Sequence, residues 1–274
     1  MRIALGIEYD GATFTGWQTQ TGGRGVQDAV ESALAQIAGN AISTICAGRT
    51  DTGVHALDQV IHFDTNATRP MTAWVRGVNR FLPASVAVQW ARPVAIDFHA
   101  RYGARRRRYD YWIFNAPARS AIAHARAGWV FRPLDENAMR QAAVHLVGRH
   151  DFTSFRSAEC QAATPVRHVD ELAVERIGPL IRISISANAF LHHMVRNIVG
   201  ALVHVGVGRR PPAWVKDVLD AVDRAASAPT FTAAGLYLVR VEYDPAFCLP
   251  APAATGPVWV NAYTNQDLRA DTGS

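Results

Sequence analysis

The order of its apolar periodicities constrains the fold of this chain most strongly. Ile3, Leu5, Ile7 and Tyr9 alternate with other residues, as in a strand, and Asp10-Gly11 ends the alternation. The patterns that follow predict a helix, two strands, a helix and a strand, at residues 26–37, 42–47, 59–63, 74–81 and 86–90. This β-α-β-β-α-β order is that of the split βαβ, or ferredoxin-like, unit.

The remainder of the chain repeats that order with larger insertions. A strand at 109–113 precedes an irregular stretch at 116–132, and further elements are predicted at 135–146, 169–174, 181–185, 192–207, 213–222 and 236–243. We therefore expect two related α+β halves, residues 1–103 and 104–246. A tail rich in proline and alanine, residues 247–274, is expected to lie against the second half.

Composition limits the cellular setting. The chain is 49% hydrophobic, yet no segment is long and apolar enough to span a bilayer. Residues 1–3 run directly into a strand pattern, so no signal peptide is expected. Cys46, Cys160 and Cys248 are odd in number and far apart, with no CxxC pair. This pattern argues against a disulfide framework or a zinc site and predicts a reducing, cytoplasmic location.

The charge of the chain suggests a polyanionic partner. The net charge is +5, the sequence pI is about 9.4, and Lys216 is the single lysine. Arginine binds phosphate with two prongs and stacks on bases, which suits RNA. Alanine is also abundant, so genomic base composition explains most of the arginine excess.

One short polar loop interrupts the apolar pattern, with the sequence CAGRTDTGVH at residues 46–55. Gly48 and Gly53 bracket it and allow sharp turns. Asp51 is its one carboxylate, and Arg49 shares its face if the segment is extended, so the arginine could keep the carboxylate ionised as a nucleophile or base requires. The simpler alternative is a polar turn in which Asp51 hydrogen-bonds its own backbone.

These residues also carry a family resemblance. The loop is similar to the G-R-T-D-x-G-V-H-A signature of tRNA pseudouridine synthases of the TruA type. Further stretches resemble that family in the same order: LGIEYDG at 5–11, GWQ at 16–18, DFHAR at 97–101, DFTSFR at 151–156 and NAFLHHMVRN at 188–197. The resemblance covers the chain from Ile3 to about Tyr243.

The resemblance implies a fold and a set of site residues. The two halves would form a continuous mixed or antiparallel sheet with a central catalytic cleft, the pseudouridine synthase fold. Asp51 would be the catalytic aspartate, and Arg196 its ion-pair partner, with Arg49 a weaker candidate. Tyr109 would lie against the target base, and Leu236 beside the aspartate. From the sequence alone, the ring of Tyr109 could equally belong to the core.

Substrate contacts are predicted at a run of four arginines, Arg105, Arg106, Arg107 and Arg108, which leads directly into the aromatic strand. Positive charge that can pair with phosphate, beside aromatic rings that can stack on bases, is a plausible RNA-binding surface. The simpler alternative is a solvated basic linker, which is the more common role of a run of charged residues. His55, in the signature loop, is expected to contact RNA or to be structural.

The resemblance implies that the activity is isomerisation of uridine to pseudouridine at positions 38, 39 and 40 of tRNA, in the anticodon stem and loop. The resemblance also implies a homodimer. No cofactor is expected, since the sequence contains no Walker loop, GxGxxG, GxSxG or HExxH motif. No metal is expected either, because the adjacent helical residues His192 and His193 do not converge on one ion. The residues leave open whether Asp51 attacks the sugar, attacks the base or removes a proton.

Two other functional classes compete with this interpretation. A non-catalytic RNA-binding protein with two ferredoxin-like modules would display paired aromatics in an R/K-G-F-G-F-V-like strand, which the sequence lacks. A metal-dependent nuclease would need clustered carboxylates, but the nearest acid that follows Asp51 is Asp58. Both alternatives are less well supported.

Overall fold

A computed structural model describes residues 1–252 and 256–264 of the chain. The strands in these residues are β1 (Arg2–Tyr9), β2 (Ile45–Cys46), β3 (His55–Asp64), β4 (Val86–Val94), β5 (Arg106–Asn115), β6 (Gly128–Val130), β7 (Gly148–Asp151), β8 (Val166–Ile177), β9 (Leu180–Ala187) and β10 (Leu236–Glu242). The α-helices are α1 (Val26–Ala38), α2 (Glu136–Ala143), α3 (Met194–Gly206), α4 (Trp214–Ala221) and α5 (Asn261–Thr264). Short 3₁₀ turns lie at Gly11–Thr13, Val144–Leu146, Thr153–Phe155, Arg224–Ala226, Pro245–Phe247 and Val258–Val260. None of the described helices combines the length and apolar character needed to cross a bilayer.

The chain divides into two compact units. Among the described residues, the first unit comprises 1–107 and 237–252, and the second comprises 108–236 and 256–264. The closing strand β10 thus belongs almost entirely to the first unit, although the sequence pattern groups it with residues 104–246. The described part of the predicted tail is shared between the units, and residues 253–255 and 265–274 of that tail lie outside the described residues.

The first unit is built on an antiparallel sheet in the order β4-β1-β3-β2. This is the strand order of a split βαβ unit, with β3 between the two strands that α1 connects. β10 adds to β3 in parallel, pairing Tyr237 with His55 and Leu238 with Ala56. The side chains of Ile3, Leu5 and Ile7 are fully buried in this unit.

Helix α1 forms where the apolar spacing predicts it. Its buried stripe is Val26, Val30, Ala33 and Leu34, and the helix ends at Gly39, whose φ of 78° is left-handed. Asp28 accepts a hydrogen bond from the Gly25 amide at 2.8 Å, which satisfies one of the donors that a helix N-terminus exposes.

The second unit contains the strand order β5-β9-β8-β7, with β6 parallel to β5. α2 packs against α3 and β8, and α3 is buried along most of its length. Asp135 begins α2 as predicted, since its carboxylate accepts from the amides of Asn137 and Ala138 at 2.9 and 3.0 Å. The predicted fold class, α+β with a mixed parallel and antiparallel sheet, is confirmed.

Several predicted elements differ in extent. The predicted strand at 42–47 is reduced to Ile45–Cys46, and the predicted second helix contains a π-helical turn at Ala73–Gly77. Helix α3 begins at Met194 because His193 adopts a left-handed φ of 62°. β6 and β7 are absent from the prediction, because three residues around a glycine and four polar residues produce no periodic signal.

Candidate active site

In the first unit, the loop that carries Asp51 is held by backbone hydrogen bonds on both sides of that residue. The Trp17 amide donates to the Thr50 carbonyl at 3.0 Å, and the Val54 amide donates to the Asp51 carbonyl at 3.1 Å. Thr50 is buried, and its hydroxyl lies 2.8 Å from the Tyr9 hydroxyl. Asp51 itself is half-buried at the entry to β3. The loop therefore presents this carboxylate from a fixed backbone.

Glycines and a buried amide shape the same loop. Gly53 has a left-handed φ of 77°, whereas Gly48 is held by Gln59, whose amide donates to the Gly48 carbonyl at 2.6 Å. Gly16 approaches from another part of the unit: its φ is +98°, and a Cβ there would lie 2.7 Å from the Thr50 carbonyl oxygen. Only glycine permits this approach at that backbone angle. Arg49, on the same loop, is exposed.

His55 begins β3 and is buried. Its Nδ1 lies 3.2 Å from the Gly11 amide nitrogen and 3.1 Å from an oxygen of Asp10, and its ring stacks on Tyr237 with centroids 4.5 Å apart. These contacts join β3 to the end of β1 and to β10, so His55 has a structural role, and its contact with RNA stays a prediction.

Buried titratable groups surround this part of β3. Burial raises the pKa of Asp58 to about 6, while its carboxylate accepts from the Val241 amide at 3.0 Å. Burial also raises the pKa of the Cys46 thiol to about 12 and lowers that of His62 to about 4. Cys46 and His62 are therefore neutral at pH 7, and Asp58 links β3 to β10.

The second unit carries the two other predicted catalytic residues. Tyr109, on β5, is 8% exposed and meets Phe190 edge-on with ring centroids 5.0 Å apart. Tyr111, two residues on, is fully buried and donates its hydroxyl hydrogen to the Thr232 carbonyl at 2.9 Å. Of the two rings, Tyr111 is clearly a core residue. Leu236 is also buried, at the start of β10.

Arg196 lies in the first turn of α3 and is half-buried. Its Nε donates to the Phe231 carbonyl at 2.9 Å, and the Phe231 amide donates back to the Arg196 carbonyl at 3.3 Å. This reciprocal pair ties the arginine to the segment before β10 and restricts its side chain.

The next residue, Asn197, was missed by sequence reasoning. It is fully buried, and its amide donates to the Phe155 carbonyl at 2.7 Å. Its Oδ1 accepts from the Thr230 hydroxyl at 2.6 Å and from Arg224 at 3.2 Å. A polar residue on the buried side of an apolar helix was the available signal, because such a group needs partners. The network fixes the segment that carries the Phe231 carbonyl.

The four residues of the predicted arginine run differ in burial. Arg107 is 9% exposed, and its guanidinium donates to the carbonyls of Ala47, Arg101 and Ala104 at 2.8, 2.6 and 3.1 Å. It therefore holds the backbone next to the signature loop. The simpler alternative of a solvated linker fails for this residue.

The other three arginines of the run have acidic neighbours. Arg105 pairs with Asp244, and Arg106 lies 3.9 Å from Glu242. Arg108 donates to the Ser184 hydroxyl at 2.9 Å and lies 3.5 Å from the buried Asp110. Alternation along β5 buries Arg107 and leaves Arg106 and Arg108 more exposed, and Arg105, which precedes the strand, is also exposed.

Comparison with known proteins identifies relatives along nearly the whole chain. Residues 6–103 and 142–244 match a family model described as tRNA pseudouridine synthase. A tRNA pseudouridine synthase A of Burkholderia thailandensis is 54% identical over 270 residues, covering 98% of this chain and all of that protein. One of Herminiimonas arsenicoxydans is 53% identical over 262 residues, covering 94% and 95%. Asp51 and Arg196 lie inside the matched segments, and Tyr109 lies between them.

Proposed function

The chain belongs to the family of tRNA pseudouridine synthases and is an isomerase of uridine in tRNA, and we propose that its targets are uridines 38, 39 and 40 of the anticodon stem and loop. The reaction breaks the C1′–N1 bond, turns the uracil and forms a C1′–C5 bond. The proton at C5 is lost and N1 gains one, so the mass of the nucleotide is unchanged. A uridine within a stem must first leave the helix.

The observation that supports the catalytic part of the proposal is the loop around Asp51. Hydrogen bonds to Thr50 and Gly48, and the turn at Gly53, hold the backbone on either side of this carboxylate. A preorganised carboxylate suits a nucleophile, and it equally suits a base. We assign Asp51 the step that starts cleavage of the glycosidic bond.

Two further residues complete the proposal. Arg196 keeps the carboxylate of Asp51 ionised, and its bond to the Phe231 carbonyl restricts the orientation of its guanidinium. Tyr109 stacks on the uracil, supported edge-on by Phe190. The enzyme is proposed to act in the cytoplasm, as a homodimer, which sedimentation of the active protein would test.

The target positions are tested with transcripts of one tRNA. Mass spectrometry of the digested product should find an isomer of unchanged mass that resists uridine-specific labelling, confined to positions 38, 39 and 40. A control transcript with cytidine at all three positions should remain unmodified. Pseudouridine at another position in that control would contradict the proposed targets while leaving the isomerase activity established.

A further inference from the structure

The connection between β5 and α2 forms an exposed basic surface in the second unit. Residues 116–132 contain Arg119, Arg126 and Arg132, all exposed, together with the exposed His124, and no aspartate or glutamate. Among the described residues, neither Arg119 nor Arg132 forms an ion pair with an acidic side chain. These two guanidinium groups can therefore bind an external anion without first breaking an ion pair within the protein.

Two aromatic rings stand on the same connection. Trp129 is 45% exposed and Phe131 is 58% exposed, and their ring centroids lie 6.3 Å apart. The guanidinium carbon of Arg132 lies 5.7 Å from the centroid of the Phe131 ring. Large aromatics at this exposure lose hydrophobic stabilisation unless a partner covers them.

The rings are held by hydrogen bonds to the backbone around them. The Trp129 indole donates to the Ala116 carbonyl at 2.9 Å, and β6 pairs Trp129 with Phe114 on β5. The Asn115 amide donates to the carbonyls of Val130 and Arg132 at 2.9 and 2.7 Å. The surface is therefore preorganised, which reduces the entropic cost of binding.

A cavity of about 300 Å³ opens beside Trp129. Its lining includes Phe114, Arg119, Ser120, His124, Trp129 and Thr232. An apolar floor with a cation and a few polar groups at the edge suits a planar, partly polar ligand attached to an anion. A nucleotide has this chemistry: a base to stack and a phosphate to pair.

We propose that this aromatic–basic platform, formed by Arg119, Trp129, Phe131 and Arg132, binds an unstacked nucleotide of the tRNA other than the target uridine. This proposal rests on the tRNA substrate of the proposed function. The base stacks on the exposed rings, and the two guanidinium groups contact its phosphates. A second copy of this chain fits less well, because a two-fold contact places the same surface on both sides, and residues 116–132 offer no acidic side chain to meet the arginines.

The experiment compares KM and kcat for one tRNA transcript among platform variants. Trp129→Ala should raise KM about tenfold with kcat at saturation unchanged, in line with the usual contribution of one stacked base. Trp129→Phe, which keeps a ring, should stay close to wild type and shows that the fold tolerates the position. The double variant Arg119→Ala/Arg132→Ala should lower the slope of log KM against log salt by roughly one to two.

Arg149→Ala removes an exposed arginine from β7 of the same unit and serves as the charge control. Unchanged KM and salt slope in the platform variants, with an active wild-type enzyme, would overturn the proposal. It would also be overturned if Trp129→Ala dissociated an oligomer in sedimentation, since the platform would then be a protein interface. A wild-type enzyme that made no pseudouridine in any tRNA would instead refute the proposed function.

Discussion

The Asp51 loop and the Arg196 turn are both rigid, but they are held by different means. Around Asp51, backbone groups contact one another directly, and Gly16 is needed for the close approach to Thr50. Around Arg196, a buried side chain, Asn197, connects three segments through hydrogen bonds to Phe155, Thr230 and Arg224. Backbone contacts tolerate changes of side chain, whereas a buried polar network depends on each member.

The largest effect is expected from Asp51→Asn, which removes the reactive carboxylate and leaves the backbone contacts of the loop in place. Turnover should fall at least about a hundredfold, since loss of a nucleophile or base removes transition-state stabilisation. The thermal midpoint and tRNA affinity should remain near wild type. Single-turnover assays with saturating enzyme measure the rate. Turnover above about a hundredth of wild type would show that another group starts the reaction.

Arg196→Met should give the next largest effect, roughly tenfold to a hundredfold at neutral pH. An ionised carboxylate in a site that excludes water needs a cationic partner, so activity should recover as pH rises. Arg196→Lys should be intermediate, because lysine keeps the charge but loses the two-pronged geometry. If Arg196→Met kept the wild-type pH–rate profile, Arg196 would not be the ion-pair partner of Asp51, and Arg49 would take that role. The same measurement on Arg49→Met would then check it.

Asp58→Asn tests a buried carboxyl of β3 that contacts no proposed substrate group. The pKa of Asp58 is raised to about 6, so its ionised form opposes folding above that pH, and the penalty disappears as pH falls toward its unfolded value near 4. The free energy of unfolding of the variant should exceed that of the wild type by up to about 3 kcal/mol at pH 7. It should also depend less on pH between pH 4 and 6. Denaturant unfolding at several pH values measures the difference. A larger gain in the free energy of unfolding at pH 4 than at pH 7 would contradict the raised pKa of Asp58.

Asn197→Ala should lower the free energy of unfolding by about 2 kcal/mol, because buried polar partners lose their hydrogen bonds. It should also lower kcat more than it raises KM, since the Phe231 carbonyl that receives Arg196 becomes less fixed. Thr230→Val, which removes one bond of the network, should reproduce part of both effects. A wild-type kcat in a stable, folded Asn197→Ala protein would show that the network contributes to stability and not to catalysis.

The smallest effect concerns the arginine run. Arg105→Ala and Arg106→Ala should each lower the salt slope of tRNA binding by at most about one, because phosphate contacts contribute through counterion release. Arg107→Ala should lower stability and leave the slope unchanged, since its guanidinium donates to backbone carbonyls. Filter binding and thermal unfolding separate the two outcomes. An equal change of the salt slope in all three variants would show that the run acts as a single RNA-binding surface.

Much of the fold could be predicted because its signals are local. Apolar spacing, the cap at Asp135 and the stop at Gly39 act within a few residues, and α1, α2, β1 and β5 formed where those signals lie. β6 and the exposed ring of Trp129 were missed, because three residues that include a glycine have no detectable period. The Asp51 loop was recognisable from its glycines, its lone carboxylate and its family signature.

The sequence by itself determined the order of the elements other than β6 and β7, the fold class and the loop that presents Asp51, since short-range sterics and periodic burial decide these. Only the tertiary structure decided which polar side chains became buried partners. Asp58 meets the amide of Val241, 183 residues away, and Arg107 meets the Ala47 carbonyl across 60 residues. Such pairs leave no periodic trace, because hydrogen-bond partners are set by the folded path of the chain and not by spacing along it.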